Sequence, residues 1–113
     1  MGRMAVATQD KVRALGEDFS SLREVADVLG VDVAQISRWR KGGGIDEANA
    51  LRVDLLEFVM AQLLRIYDRQ TARDWLFGLN PNLGDRRPLD LIRAGRVHDV
   101  IAAVEAEYGD AYS

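Results

Sequence analysis

At 113 residues, 48% of them apolar, the chain carries enough hydrophobic surface for one compact core, or for two small units sharing one. Fifteen basic against eighteen acidic side chains leave a net charge of −3, which excludes a uniformly basic nucleic-acid binder but not a local basic patch. With no cysteine there is no disulfide framework and no thiolate metal site; the start MGRMAVATQDKV lacks the apolar run of a secretion signal, and no stretch approaches the ~20 apolar residues of a membrane span, so a cytoplasmic location is expected.

In chain order, Thr8 to Gly16 reads as a short helix with Val12 and Leu15 turned inward. The next segment, LREVADVLGVDVAQISRWRKGGG from Leu22 to Gly44, predicts two helices joined by a glycine turn. Ser21 with Glu24, and Asp32 with Gln35, are spaced as capping boxes. Leu22, Val25 and Leu29 form one apolar stripe, and Val33, Ile36 and Trp39 another. Ala26 allows close helix approach, Gly30 supplies the left-handed residue that ends the first helix, Ile36 buries the second, and Gly42 to Gly44 stop it. This is the helix-turn-helix pattern, whose second helix enters the DNA major groove. Gln35, Ser37, Arg38, Arg40 and Lys41 are left facing outward as candidate DNA contacts. Gln and Arg suit base edges, Ser and Lys suit phosphates. A structural helix pair with a solvated basic end has the same pattern. Residues 1–44 hold seven basic and six acidic side chains, and residues 45–113 hold eight and twelve. The DNA-binding candidate is therefore near neutral with a basic tip, so operator binding implies at least a dimer.

Asp46 is placed to cap a long helix in which Ala48, Leu51, Leu55, Phe58, Val59, Leu63 and Ile66 recur at helical spacing, broadened by Leu56, Met60 and Leu64. A stripe this wide fits either one buried central helix or a helix that packs on its own chain and on a second copy. Tyr67 to Gln70 interrupts the rhythm, and Thr71 is a candidate cap for a short helix through Trp75, Leu76 and Phe77. The turn Asn80-Pro81-Asn82 follows, with Asn80 tying it down through its side chain. Pro88 starts a short helix that Gly95 closes. Val97, Val100, Ile101, Val104 and Tyr108 line a last helix, after which Gly109 to Ser113 read as a tail. No strand-like alternation occurs, so the fold class is all-α: a helix-turn-helix region at 1–45 and a helical dimerisation and partner-binding region at 46–113. With one histidine, His98, and no phosphate-binding loop, neither catalysis nor a metal or cofactor site is expected.

The order of motifs in the second region is specific: Trp75-Leu76, Asn80-Pro81, Leu83, the run Pro88-Leu89-Asp90-Leu91, Gly95, Val100 and the end Glu107-Tyr108-Gly109. Behind a helix-turn-helix, this resembles the Xre/MbcA/ParS antitoxin family, which accompanies RES-domain toxins in bacterial toxin–antitoxin pairs. The resemblance implies that the first region binds operator DNA and the second binds a RES-domain toxin, an enzyme that degrades NAD, and blocks its active site. It implies toxin-facing roles for Glu107, Tyr108, Gly109, Asp110, Ala111, Tyr112 and Ser113 at the end that reaches toward the toxin's cleft; Trp75, as core or interface anchor, Asn80, as the tie of its turn, and Arg86 and Arg87, for which toxin, DNA and water all stay open, are the further candidate contacts. It fits a homodimer on two half-sites ~34 Å apart. The alternative is a stand-alone transcriptional regulator whose residues 55–113 enclose a small-molecule pocket.

Overall fold

The computed structural model describes the backbone of residues 2–112 and the side chains of residues 8–111. Among these the chain is all-helical, and its only β feature is an isolated bridge between Asn80 and Arg86. The first helix, α1 (Gly2–Asp18), starts well before Thr8. Val12 and Leu15 are fully buried as expected, and so is Phe19, which follows the helix.

Helix α2 (Leu22–Leu29) begins at Ser21, whose Oγ accepts a 3.2 Å bond from the Glu24 backbone N–H. The reciprocal half of that capping box does not form; the Glu24 carboxylate lies 3.7 Å from Arg73 instead. Gly30 ends α2 with φ 72°, the left-handed conformation expected of it. Helix α3 (Val33–Arg40) corrects the second expected box, because the Asp32 side chain makes no cap bond. The Gln35 and Ile36 N–H groups already donate to the Asp32 backbone carbonyl, at 3.0 and 3.3 Å, and the Gln35 side chain accepts from Arg38. Ile36 and Trp39 are buried, but Val33 is not. Residues three apart drift around a helix, so a series of three sweeps about 120° and leaves its first member at the edge of the buried stripe.

Helix α4 (Glu47–Leu63) is capped by Asp46, whose carboxylate accepts the Asn49 N–H at 2.9 Å. It buries Val53, Leu55, Leu56, Val59, Met60 and Leu63, whereas Leu51 is 43% and Phe58 38% exposed. Helix α5 (Arg69–Phe77) starts earlier than expected. Its cap is Asp68, which accepts the Thr71 N–H at 2.8 Å, so Thr71 is the capped residue and not the cap. A 3₁₀ turn (Pro81–Leu83) leads to α6 (Pro88–Arg93), which opens on its proline; Gly95 follows at φ 71°. Helix α7 (Val97–Tyr112) continues through Gly109, so the expected tail is the last helical turn. A Cβ at Gly109 would meet nothing within 4 Å, and its φ is not left-handed, so nothing there forces the helix to end.

One hydrophobic cluster runs from Val12 in α1 to Val104 in α7. Helix α1 lies against α3 and α4, and α6 packs on α2, α4, α5 and α7. No helix among the described residues is long and apolar enough to cross a membrane.

Candidate functional site

Where the end of α4 turns into α5, and α7 passes behind them, an open cleft of about 430 Å³ forms. Tyr67 comes from the turn after α4; Thr71, Asp74 and Trp75 from α5; Gly78 to Asn82 from the connection; Glu107 and Asp110 from α7. Glu107 holds these elements together. Its Oε2 accepts from the Tyr67 hydroxyl at 2.7 Å and its Oε1 from the Trp75 indole N–H at 2.6 Å. Both donors are neutral, so the carboxylate is fixed without being neutralised. The Tyr67 hydroxyl is accordingly held above its ordinary pKa of 10.0, first by its bond to Glu107, then by partial burial and the negative charge of Glu107 and Asp110. None of the residues lining the cleft is basic.

Within this lining Leu79 is 72% exposed; Phe77, two residues before it in the chain, is 43% exposed. The backbone presenting Leu79 is locked by Asn80, itself only 6% exposed. Asn80 Oδ1 accepts the Asn82 N–H at 2.9 Å, its carbonyl accepts from Leu83 and Asp85 at 2.9 and 3.0 Å, and its own N–H donates to the Arg86 carbonyl at 3.0 Å. The chain reverses through Gly84 and Asp85, both at positive φ (65° and 58°).

Of the residues singled out from sequence, Trp75, Asn80, Glu107 and Asp110 share this cleft. Others are tied up in the scaffold. Arg86 donates through Nε to the Leu83 carbonyl at 2.8 Å, and Arg87 forks onto Asp90 at the start of α6, at 3.1 and 3.2 Å. The Tyr108 hydroxyl lies 2.7 Å from the Gln62 carbonyl and 3.0 Å from Gln62 Oε1, pinning α7 to α4. Gly109 and Ala111 are exposed on the last turn of α7. The Tyr112 side chain and Ser113 lie outside the described residues. Sequence reasoning missed Tyr67, Asp74 and Leu79. An apolar Leu79 wedged between Gly78 and Asn80-Pro81 was the available signal, because a leucine inside a turn has little core to enter.

A second surface is the end of α3. Arg38, Arg40 and Lys41 are exposed there, and Gln35 and Ser37 half-buried. Gln35 and Arg38 bond to one another, and the Arg40 carbonyl accepts from the Gln9 side chain at 3.2 Å.

A small helical scaffold with an acid-lined cleft that exposes Leu79, and a separate basic helix end, has the form of a protein that works by holding partners. The comparisons place it more closely. No family model matches the sequence. The "Mycobacterial cidal antitoxin MbcA" of Mycobacterium tuberculosis (strain ATCC 25618 / H37Rv) and that of Mycobacterium bovis (strain ATCC BAA-935 / AF2122/97) are each 31% identical to it over 84 residues, 74% of this chain and 74% of the relative. A chain in the crystal structure of the M. tuberculosis MbcT–MbcA toxin–antitoxin complex superposes with a TM-score of 0.71 at 28% identity, covering 87% of this chain and 90% of that one. The chain belongs to the family of the mycobacterial antitoxin MbcA.

Proposed function

We propose that this chain is the antitoxin of a toxin–antitoxin pair. It binds a RES-domain toxin that degrades NAD, covers that enzyme's active site, and represses its own operon through the helix-turn-helix of α2 and α3, two copies holding two half-sites. The carrying observation is the cleft: a wholly non-basic lining around a fixed Glu107 that includes the exposed Leu79. Apolar anchors beside an uncompensated negative charge suit a protein surface with basic character, as a site that grips the phosphates of NAD must have. The cleft is open rather than enclosed, which disfavours the small-molecule sensor. On this reading α7 brings its last turn, with Asp110 and Ala111, to the toxin as a rigid helix. The Glu107 side chain both lines the cleft and, through Tyr67 and Trp75, orients that turn, and Tyr108 pins it to α4.

Leu79→Asp tests the toxin side. The side chain is mostly exposed, so helicity and melting temperature should stay unchanged, while affinity for the co-expressed toxin falls tenfold or more, as for a hot-spot residue. Unchanged inhibition of NAD consumption by this variant would remove the cleft from the interface. On the DNA side, Arg38→Ala with Arg40→Ala should weaken operator binding, each good base contact being worth ~1–3 kcal/mol. A gel-shift titration in which the double variant binds as tightly as the parent would leave α3 a structural helix.

A further inference from the structure

We propose that Gln9 of α1 is a positioning residue for the end of α3 that carries Arg38, Arg40 and Lys41. It acts through the backbone of Arg40 and touches no DNA itself. The proposal rests on the DNA-binding reading above and names what aims that helix end.

The last carbonyls of a helix have no donor within it. Those of Ser37, Arg38 and Trp39 are met by the chain as it leaves α3. The Lys41 N–H lies 3.2 Å from the Ser37 and Arg38 carbonyls, Gly42 donates to Trp39 at 3.0 Å, and Gly43 donates to Arg38 at 2.8 Å. The Arg40 carbonyl is met from another helix. Gln9, 31 residues earlier in the chain, donates to it through Nε2 at 3.2 Å. Gly42 leaves room for this amide as well as turning the chain. It stands at φ 94°, and a Cβ on it would lie 3.3 Å from Gln9 Nε2 and 3.4 Å from Gln9 Cδ.

The amide is itself held in place. Val12 and Leu15 of α1 are fully buried, and Lys11 is tied to Asp54 of α4 at 2.8 Å. On the other side, α3 is seated by the buried Ile36 and Trp39, and the Trp39 indole N–H has no hydrogen-bond partner among the described residues. That seat therefore works by shape, and apolar burial is not directional. A hydrogen bond is, so the bond from Gln9 to the Arg40 backbone gives the end of α3 its direction. Base reading needs this, because a side chain discriminates a base edge only when its donors are aligned with it. The attraction of exposed cations for phosphates has no such requirement.

The test measures discrimination. The full chain is titrated with two duplexes: the DNA directly upstream of its own coding sequence, and a shuffled version of the same length and composition. Gln9→Met keeps the length of the side chain and removes the donor without adding charge. It should bind the upstream duplex about fivefold more weakly, the worth of one hydrogen bond, and the shuffled duplex as the parent does. Far-ultraviolet circular dichroism of the two chains should be alike, while amide hydrogen exchange at Lys41 to Gly43 should be faster in the variant. Gln9→Lys returns an N–H donor with a positive charge, so it should tighten binding to both duplexes and recover the preference. A Gln9→Met chain that keeps the parent's preference, or that loses affinity for both duplexes equally, would overturn the proposal and leave the DNA-binding reading standing. A parent chain that does not prefer the upstream duplex would overturn that reading and the proposal together.

Discussion

Glu107 illustrates how one side chain sets the geometry of the surface it belongs to. Its two oxygens are spent on Tyr67, in the turn after α4, and on Trp75, within α5. Glu107→Ala leaves both donors without their acceptor in a partly buried setting, and unfolding in urea should show a loss of about 1–3 kcal/mol. The same bond has a pH signature. The folded protein binds the Tyr67 proton more tightly than the unfolded chain does, because the Tyr67 pKa is raised above 10.0. The stabilisation it represents is therefore complete below that value and is lost as pH rises through the raised one. An ultraviolet titration should show one tyrosine ionising late, and that late step should disappear in Tyr67→Phe and move down in Glu107→Gln. Absence of a late step in the parent would mean the bond is not kept in solution.

Among the elements, the caps show where sequence reading succeeds and where it fails. Ser21 and Asp46 were legible because each stands directly before an unbroken apolar rhythm. Asp68 was not, since the chain leaves α4 through a turn at Leu64–Tyr67 that hides the start of α5, and Thr71 looked the better cap. The Asp68 carboxyl is held below its ordinary value of 3.8, chiefly by the bond from the Thr71 backbone N–H. Its contribution is therefore present above that value and is lost as pH falls through the lowered one. Asp68→Ala should destabilise the protein at neutral pH and do so less in acid, as denaturant titrations at the two pH values would show. The end of α7 misled for another reason. A glycine at a candidate helix end suggests a stop, but only a left-handed φ makes it one, and that is a property of the backbone rather than of the residue type. Periodicity put Leu51 and Phe58 in the apolar stripe of α4 but left open what covers them, because a 3.6-residue repeat reports an apolar face and not its partner. The all-helical class and most core positions were readable; the assembly of the cleft was not. Tyr67, Trp75 and Glu107 meet across 32 and 40 residues of sequence, with no local pattern to announce it.

For the molecule as a whole, the question is how the unit carrying the basic helix end is joined to the unit carrying the cleft. Helix α6 makes much of the joint. The Arg93 guanidinium donates from Nε to the Val28 carbonyl at 2.9 Å and from Nη2 to the Asp27 carbonyl, both at the C-terminal end of α2. The Arg93 carbonyl accepts from Arg52 Nε of α4 at 2.7 Å. A cation over the last carbonyls of α2 satisfies acceptors that have no partner within the helix and opposes the negative end of its dipole. A Cβ on Gly30 would lie 3.3 Å from Arg93 Nε, so the left-handed glycine also makes room for the guanidinium. Arg93→Ala should therefore lower stability by about 1–3 kcal/mol and, on the proposed function, weaken operator binding severalfold by loosening α2, on which α3 rests. The toxin binding proposed for the α5–α7 cleft should change little, because Glu107, Tyr67 and Trp75 hold that cleft independently of Arg93. Arg93→Lys keeps the charge but cannot span two carbonyls with a rigid fork, so it should recover only part of the loss. If the alanine variant binds operator as the parent does while losing stability, Arg93 fastens two elements without orienting α3. If operator binding and stability fall together, lysine recovers part of each, and toxin binding holds, the seam between α2 and α6 sets the position of the recognition helix.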